Sequence, residues 1–299
     1  MSYSKLLVPL DGSKVAEQVL PYARLLSRTL ELPVQLLTVI DLEELAPLTS
    51  RTEGRFLDKV MAEKMRESRT YLETIARSFS GAGVRFSVER GKPEDVVIDR
   101  AGAEKDTLIA MATHGRSGLQ RWLLGSVAEK VLRGAANHLL LVRATETAKT
   151  DGEATVKTIV VPLDGSSLAE KALPYVAQLA KGLNLDVILM RAYALPPSAV
   201  SQDYGPHLKE FMNELETEAR SYLGERAEEL KGKGLARVST VVDFGYGAEE
   251  IIALGRKTPD NLIAMCTHGR SGVTRWALGS VTEKVVRHSG DPVLVVPAR

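Results

Sequence analysis

The sequence predicts an α/β fold: two tandem open parallel five-stranded sheets, each with helices on both faces. Three observations carry that prediction. Short apolar runs alternate with segments of helical spacing along the whole chain, the pattern of parallel strands joined by crossover helices. The 299 residues are enough for two domains of ordinary size, each burying a core. The first half also returns in the second: "LLVPLDGSKVAEQVLPYARLL" from Leu6 answers "IVVPLDGSSLAEKALPYVAQL" from Ile159, and "ATHGRSGLQRWLLGSVAEKVLR" from Ala112 answers "CTHGRSGVTRWALGSVTEKVVR" from Cys266. Sixteen of 22 positions match in the second pair, too long a unit for a solenoid repeat, so a whole domain is duplicated.

In the first copy, "KLLVPL" reads as a strand ended by Asp-Gly-Ser. Helical spacing follows through Val15, Val19, Leu20, Ala23 and Leu26. "PVQLLTVID" is a second strand, and Phe56 to Phe79 a long amphipathic helix. "VRFSVERG" alternates as a half-exposed strand does, and "PEDVVIDRAGA" is a short helix with proline in its first turn. "DTLIAMA", Val127 to Ala136 and "HLLLVRA" complete the unit as strand, helix and strand. The second copy repeats the order at Thr158–Leu163, Ser166–Gly182, Asp186–Tyr193, His207–Lys231, Val238–Phe244, Ala248–Arg256, Asn261–Cys266, Val281–His288 and Pro292–Val296. The offset between copies grows from 153 to 154, a residue assigned to the dissimilar segments 42–58 and 195–210. "TETAKTDGEAT" is polar and without period, which makes 145–155 the linker between domains 1–144 and 156–299.

Charge and composition exclude several classes. A net charge of +1 gives no field for nucleic acid or an anionic membrane. The opening apolar run is too short for a signal-peptide core, and no run approaches membrane-spanning length. A single cysteine, Cys266, cannot form an internal disulfide and suits a reducing cytoplasm. A soluble, cytoplasmic protein is expected.

The chemistry gathers at two loops. Ligands of open α/β sheets bind beyond the carboxyl ends of the strands, and the richest turn chemistry there is "DGS" after strand one and "THGRSG" after strand four. Gly115, Gly118 and Gly125 free the backbone to present N–H groups, and Ser126 opens a helix; Gly269, Gly272, Gly279 and Ser280 repeat this. Such a loop at a helix N-terminus suits an anion. Ser126 with Glu129, and Ser280 with Glu283, have capping-box spacing, which by itself is more often structural. His114 and His268 allow an acid–base role or hydrogen bonding within the loop, and no acidic orienting residue stands at a fixed spacing. Arg116 and Arg270 have the chemistry of a phosphate clamp. Cys266 reads either as a buried small thiol or as an oxidation sensor. There is no GxxxxGK[ST], and Gly245-Tyr-Gly247 lacks the remaining Rossmann glycine.

"VPLDGS", followed by A-x-x-G-x9-G-S in one copy and C-x-x-G-x9-G-S in the other, resembles the universal stress protein family in its tandem form. The likeness covers essentially the whole chain. It implies a Rossmann-like, adenine nucleotide alpha hydrolase-like fold with strand order 3-2-1-4-5. ATP-binding members carry G-x-x-G-x9-G-[ST] after strand four. That pattern falls on Ala112, Gly115, Gly125 and Ser126, and on Cys266, Gly269, Gly279 and Ser280, so the first glycine is replaced in each copy. The resemblance implies ATP, ADP or AMP held by these loops: Ala112, Thr113, His114, Gly115, Arg116, Ser117, Gly118, Gly125, Ser126 and Val127, and in the second copy Cys266, Thr267, His268, Gly269, Arg270, Ser271, Gly272, Gly279, Ser280 and Val281. It also implies Asp11 and Asp164 beside the ribose or a phosphate-bound Mg²⁺, Pro9 and Pro162 lining the base pocket, and Val39 and Ala192 meeting adenine through the backbone. An N-cap is the competing role of the two aspartates. The expected function is a nucleotide-binding stress-response protein whose occupancy alters assembly or the binding of a protein client. At most weak ATP hydrolysis is expected; a slow ATPase or phosphotransferase using His114 or His268, and a non-nucleotide-binding interaction module, are the alternatives.

"HLLLVRA" and "PVLVVPAR" are near-continuous apolar runs, and in this strand order both are edge strands. An intrachain pseudo-dimer in which each covers the other is expected, with pairing of whole chains into a homodimer a further step. Charged substitutions at Leu140 and Leu294 together should therefore separate the halves in small-angle scattering; an unaltered compact profile would show that these strands are not the interface.

Overall fold

The computed structural model describes residues 3–41, 54–80, 83–113, 124–145, 150–195, 208–268 and 278–298. The chain forms two compact units, Ser2–Ala154 and Thr155–Arg299. In the first, β1 (Lys5–Pro9) leads through a 3-10 turn, Ala16–Val19, into α1 (Leu20–Leu30), then β2 (Val34–Ile40) and α2 (Gly54–Ala76). There follow β3 (Val84–Arg90), α3 (Pro93–Gly102), β4 (Thr107–Ala112), α4 (Ser126–Gly134) and β5 (His138–Val142). The strands are parallel in the order β3-β2-β1-β4-β5, with Leu6 opposite Val34 on one side and Leu108 on the other.

The second unit repeats this with β6 (Thr158–Pro162), α5 (Ser167–Glu170), α6 (Leu173–Leu183), β7 (Asp186–Tyr193), α7 (Leu208–Gly232), β8 (Val238–Phe244), α8 (Gly247–Lys257), β9 (Asn261–Cys266), α9 (Ser280–His288) and β10 (Val293–Val296). Its order is β8-β7-β6-β9-β10, again parallel. The expected order 3-2-1-4-5 is thus present in each unit. Central strands such as β1 and β4 are buried on both faces, whereas β3 and β8 stay half-exposed. Among the described residues no helix is long and apolar enough to cross a membrane.

Helices depart from the sequence-based boundaries where proline decides. The run expected from Val15, or from Ser166, is interrupted: α1 and α6 begin at Leu20 and Leu173 with Pro21 and Pro174 in the first turn. Proline has no N–H to bond backward, so a regular helix restarts at it instead of passing through. The length difference between copies is divided: from an offset of 153 at β2 and β7, the second copy loses two residues across the expected segments 42–58 and 195–210. Tyr71-Leu72 and Tyr222-Leu223 match at an offset of 151, with both leucines fully buried, so three residues are gained between this helix and the next strand, where the offset is 154.

Part of the expected linker is bonded to the first unit. Gln18 exchanges two hydrogen bonds with the Thr145 backbone, at 2.6 and 2.8 Å. Arg24 donates to the carbonyls of Thr150 and Gly152 at 2.8 Å each, Arg28 pairs with Glu153 at 2.6 Å, and Ala154 N–H donates to Pro21 O at 3.0 Å.

One buried amide ties the helix-to-strand turn of each unit, from opposite sides. In the first, Asn137 Nδ2 lies 3.0–3.2 Å from the carbonyls of Ala101, Glu104, Lys105 and Thr107. In the second the amide is Asn261, at the place of Thr107, donating to Gly255 O, Thr258 O and Asp291 Oδ1; Asp291 stands where Asn137 would. Burial pushes the Asp291 carboxyl above its ordinary range. Asn137→Ala leaves several buried carbonyls without a donor and should cost about 2 kcal/mol in urea unfolding; an unchanged midpoint would mean that water replaces the amide.

Candidate functional site

Each unit carries a cleft beyond the carboxyl ends of its strands. The first, about 320 Å³, is lined by Pro9 and Asp11 from the end of β1, Thr38, Val39 and Asp41 from the end of β2, Ala112 and Thr113 from β4, and Gly125, Ser126 and Val127 at the start of α4. The second, about 270 Å³, has Pro162, Asp164, Ala192, Cys266, His268, Gly279, Ser280 and Val281. Every one of these except Thr38 and Asp41 was expected from the sequence. Thr267 was expected too and lies between two lining residues. His114, Gly115, Arg116, Ser117 and Gly118, and Gly269, Arg270, Ser271 and Gly272, lie outside the described residues.

The aspartates shape the wall they stand in. Asp11 Oδ1 accepts from Ser13 N at 2.9 Å and from Ser13 Oγ at 2.6 Å, while Ser13 Oγ accepts from Ala16 N at 3.1 Å. Asp164, Ser166 and Ala169 repeat the arrangement at 2.9, 2.6 and 3.2 Å. The aspartate orients the serine in both units; in the second, Ser166 is the N-cap of α5, two residues after the aspartate expected to be one, and in the first, Ser13 bonds the head of a 3-10 turn whose N-cap is Val15. Both aspartate bonds use Oδ1.

The opposite wall is a helix start pressed on a strand end. Gly125 N–H donates to Thr113 O at 2.7 Å, and Gly279 N–H to Thr267 O at 2.8 Å. A Cβ on Gly279 would lie 2.8 Å from that carbonyl oxygen, so close approach of backbone requires the glycine. These glycines are the N-caps of α4 and α9, without side-chain capping. The predicted capping boxes are not formed: Ser126 and Ser280 are the first helical residues, one position too late to cap, and Glu129 and Glu283 bond Arg133 and Arg287 instead. The first intrahelical bonds are Glu129 N to Gly125 O and Glu283 N to Gly279 O. The amides of Ser126 to Ala128 and Ser280 to Thr282 precede them, at residues that line the clefts.

Ala112 and Cys266, which replace the first glycine of the motif, are the last residues of β4 and β9. Neither is among the positive-φ residues, so a Cβ causes no backbone strain there. Cys266 is buried, its Sγ lies 3.5 Å from Ala169 O, and burial pushes its thiol up to about 12. His268 Nδ1 is 3.0 Å from Thr267 Oγ1, and among the described residues its buried Nε2 has no hydrogen-bond partner.

Sequence reasoning missed the walls supplied by helices. Lys64 and Ser68 of α2 and Pro93 of α3 line the first cleft; Gly247 and Ile251 of α8 and Thr282 of α9 line the second. Lys64 and Ser68 are spaced to share a helix face, but nothing in their spacing says which face meets the strand ends. Pro93 and Gly247 did carry a signal, since each opens a helix directly after a strand.

A model of the universal stress protein family matches residues 2–143 and again 155–297. The chain belongs to the universal stress protein family. A universal stress protein of Mycolicibacterium smegmatis is 22% identical over 305 aligned residues, covering 98% of this chain and 97% of that one. One from Methanocaldococcus jannaschii is 28% identical over 141 residues, 47% of this chain and 82% of its own. The crystal structure of a universal stress protein from Archaeoglobus fulgidus superposes along the full length of both chains with a TM-score of 0.71 at 21% identity, which shows the fold alone. Two universal stress protein domains stand in tandem here, each with its own cleft.

A thiol held up to about 12 is almost wholly protonated at pH 8. Cys266 should therefore resist iodoacetamide in the folded protein and react at the rate of a free cysteine once denatured; fast labelling of the folded chain would contradict the buried placement.

Proposed function

We propose that both halves of this universal stress protein bind adenine nucleotide, ATP with ADP and AMP as alternatives, and that occupancy alters assembly or the binding of a partner protein in the cytoplasm. The observation that carries the reading is the pairing, in one cleft of ligand size, of helix-start amides at Ser126 or Ser280 with a carboxylate at Asp11 or Asp164. Amides that precede the first intrahelical bond suit phosphate, and the aspartate suits ribose hydroxyls or a hydrated cation. Pro9 and Pro162, with the strand-end residues Val39 and Ala192, give the apolar surface a base requires.

Mg²⁺ would arrive with the nucleotide, held by its phosphates, by water and by Asp11 or Asp164. Among the described residues no group of three or more His, Cys, Asp and Glu is arranged to hold a metal without a nucleotide. Binding is better supported than turnover. Of the two candidate acid–base groups, His268 has Nδ1 engaged by Thr267 Oγ1 at 3.0 Å, the hydrogen bonding within the loop that competes with an acid–base role.

Calorimetry with ATP should give two sites per chain. Asp11→Asn retains a carbonyl oxygen for the Ser13 bonds, so the turn survives while the charge is lost. It should weaken ATP about tenfold at one site and AMP much less, as expected of a carboxylate acting through Mg²⁺. Equal losses would move the aspartate to the ribose, and no binding of any adenine nucleotide would reject the reading.

A further inference from the structure

The first cleft is the larger of the two, about 320 against about 270 Å³, and the linings differ at one strand. Both clefts use one face of the second strand of their unit: Leu37 and Val39 of β2, and the matched Met190 and Ala192 of β7. The first also has Thr38 and Ile40, on the opposite face of β2, together with Lys64 and Ser68 of α2. The matched Arg191, Tyr193, Leu215 and Ala219 lie outside the second lining. The first cleft therefore rounds the strand end and continues as a side chamber between β2 and α2.

One glutamate position accounts for the difference. Glu218 of α7 pairs at 3.0 Å with Arg191, a nearly buried side chain of β7 whose guanidinium lies 5.1 Å from the centre of the Tyr222 ring. The arginine spans the space between strand and helix. Its match in the first unit is Thr38, which donates back to Leu10 O at 2.9 Å. Glu67, the match of Glu218, pairs instead with Lys64 of its own helix at 3.0 Å, with both side chains exposed. A short hydroxyl thus stands where a guanidinium fills the other unit, and the chamber is the space that remains.

The chamber opens beside Val39, the strand-end residue read above as meeting adenine. Adenine's donor to a backbone carbonyl is its exocyclic amine, so a base held by strand-end backbone turns that amine towards β2. The amine has two hydrogens; one serves the carbonyl and the other can be replaced. We infer that the first cleft, and not the second, accepts an adenine nucleotide whose exocyclic amine carries a short chain ending in a carboxylate, seated between β2 and α2. The inference rests on the nucleotide reading above. Ala16 and Ile40 give the chain an apolar bed, and Thr38 and Ser68 supply hydroxyls. The charged residues of the lining are Asp11, Asp41 and Lys64, and of these Lys64 alone comes from the helix over the chamber. An exposed ion pair holds little free energy, so the ammonium can turn from Glu67 to a ligand carboxylate at small cost.

The test compares ATP with ATP carboxymethylated on its exocyclic amine, by calorimetry on the full chain and on two variants. One site should bind the substituted nucleotide about tenfold more tightly than ATP, as one charge-assisted hydrogen bond allows. The other, closed by Arg191, should bind it more weakly than ATP. Lys64→Gln removes the charge at an exposed helix position and should bring the preference at the first site to about one. Ser68→Leu fills the chamber and should reverse the preference. The same preference at both sites, or one that either substitution leaves unchanged, overturns the inference and leaves ATP binding standing. Failure of ATP itself to bind rejects the nucleotide reading and the inference with it.

Discussion

The structure turns on a contact between one helix start and one strand end. Gly125 meets Thr113 O at 2.7 Å and Gly279 meets Thr267 O at 2.8 Å, backbone against backbone. That approach sets the amides of α4 and α9 at the carboxyl ends of the sheet, and at Gly279 it forbids a side chain. In the second unit Thr282 reinforces it, donating from Oγ1 to Cys266 O at 2.8 Å. Without this contact the helix dipole would point into solvent and the cleft would have one wall. Gly279 is therefore needed by the protein before any ligand arrives.

The facing wall depends on an aspartate that acts through a serine. Asp11 and Asp164 hold Ser13 and Ser166, and those hydroxyls accept from the first amide of the next helical turn. The carboxylate is thereby fixed at the cleft edge instead of swinging freely, which lowers the ordering cost of any contact it makes. Local structure and a binding role do not compete here. One oxygen builds the turn, and the residue as a whole lines the cleft.

Strands were legible because a parallel sheet covered on both faces writes itself as continuous apolar runs, as in Leu6 to Val8 and Leu108 to Met111. The turn residues of the cleft were legible because glycine and aspartate at strand ends have few other uses. Helix starts were less so. Ser126 and Glu129 have capping-box spacing, yet the cap is Gly125, because the chain reaches helical geometry as soon as that glycine has docked on Thr113. Lys64 and Ser68 were invisible for another reason. Their place in the wall depends on the rotation of α2 over the sheet, a property of packing and not of spacing.

Duplication lets framework and surface change independently. The framework positions kept their chemistry: Asp11 and Asp164, Ser13 and Ser166, Gly125 and Gly279 make the same bonds. Beneath β7 the second unit has diverged. Arg191, almost fully buried, pairs with Glu218 at 3.0 Å and lies 5.1 Å from the centre of the Tyr222 ring, while Tyr222 donates to Glu170 at 2.8 Å. In the first unit Thr38 holds the place of Arg191 and donates to Leu10 O at 2.9 Å. Arg191 is buried while Glu218 is exposed, so breaking the pair strands the guanidinium charge, and the arginine resists displacement. Arg191 precedes Ala192, a lining residue, and Tyr193, whose ring meets Phe244 edge to face. The end of β7 that carries Ala192 is thus anchored by charge, where its counterpart in β2 is anchored by a single hydroxyl.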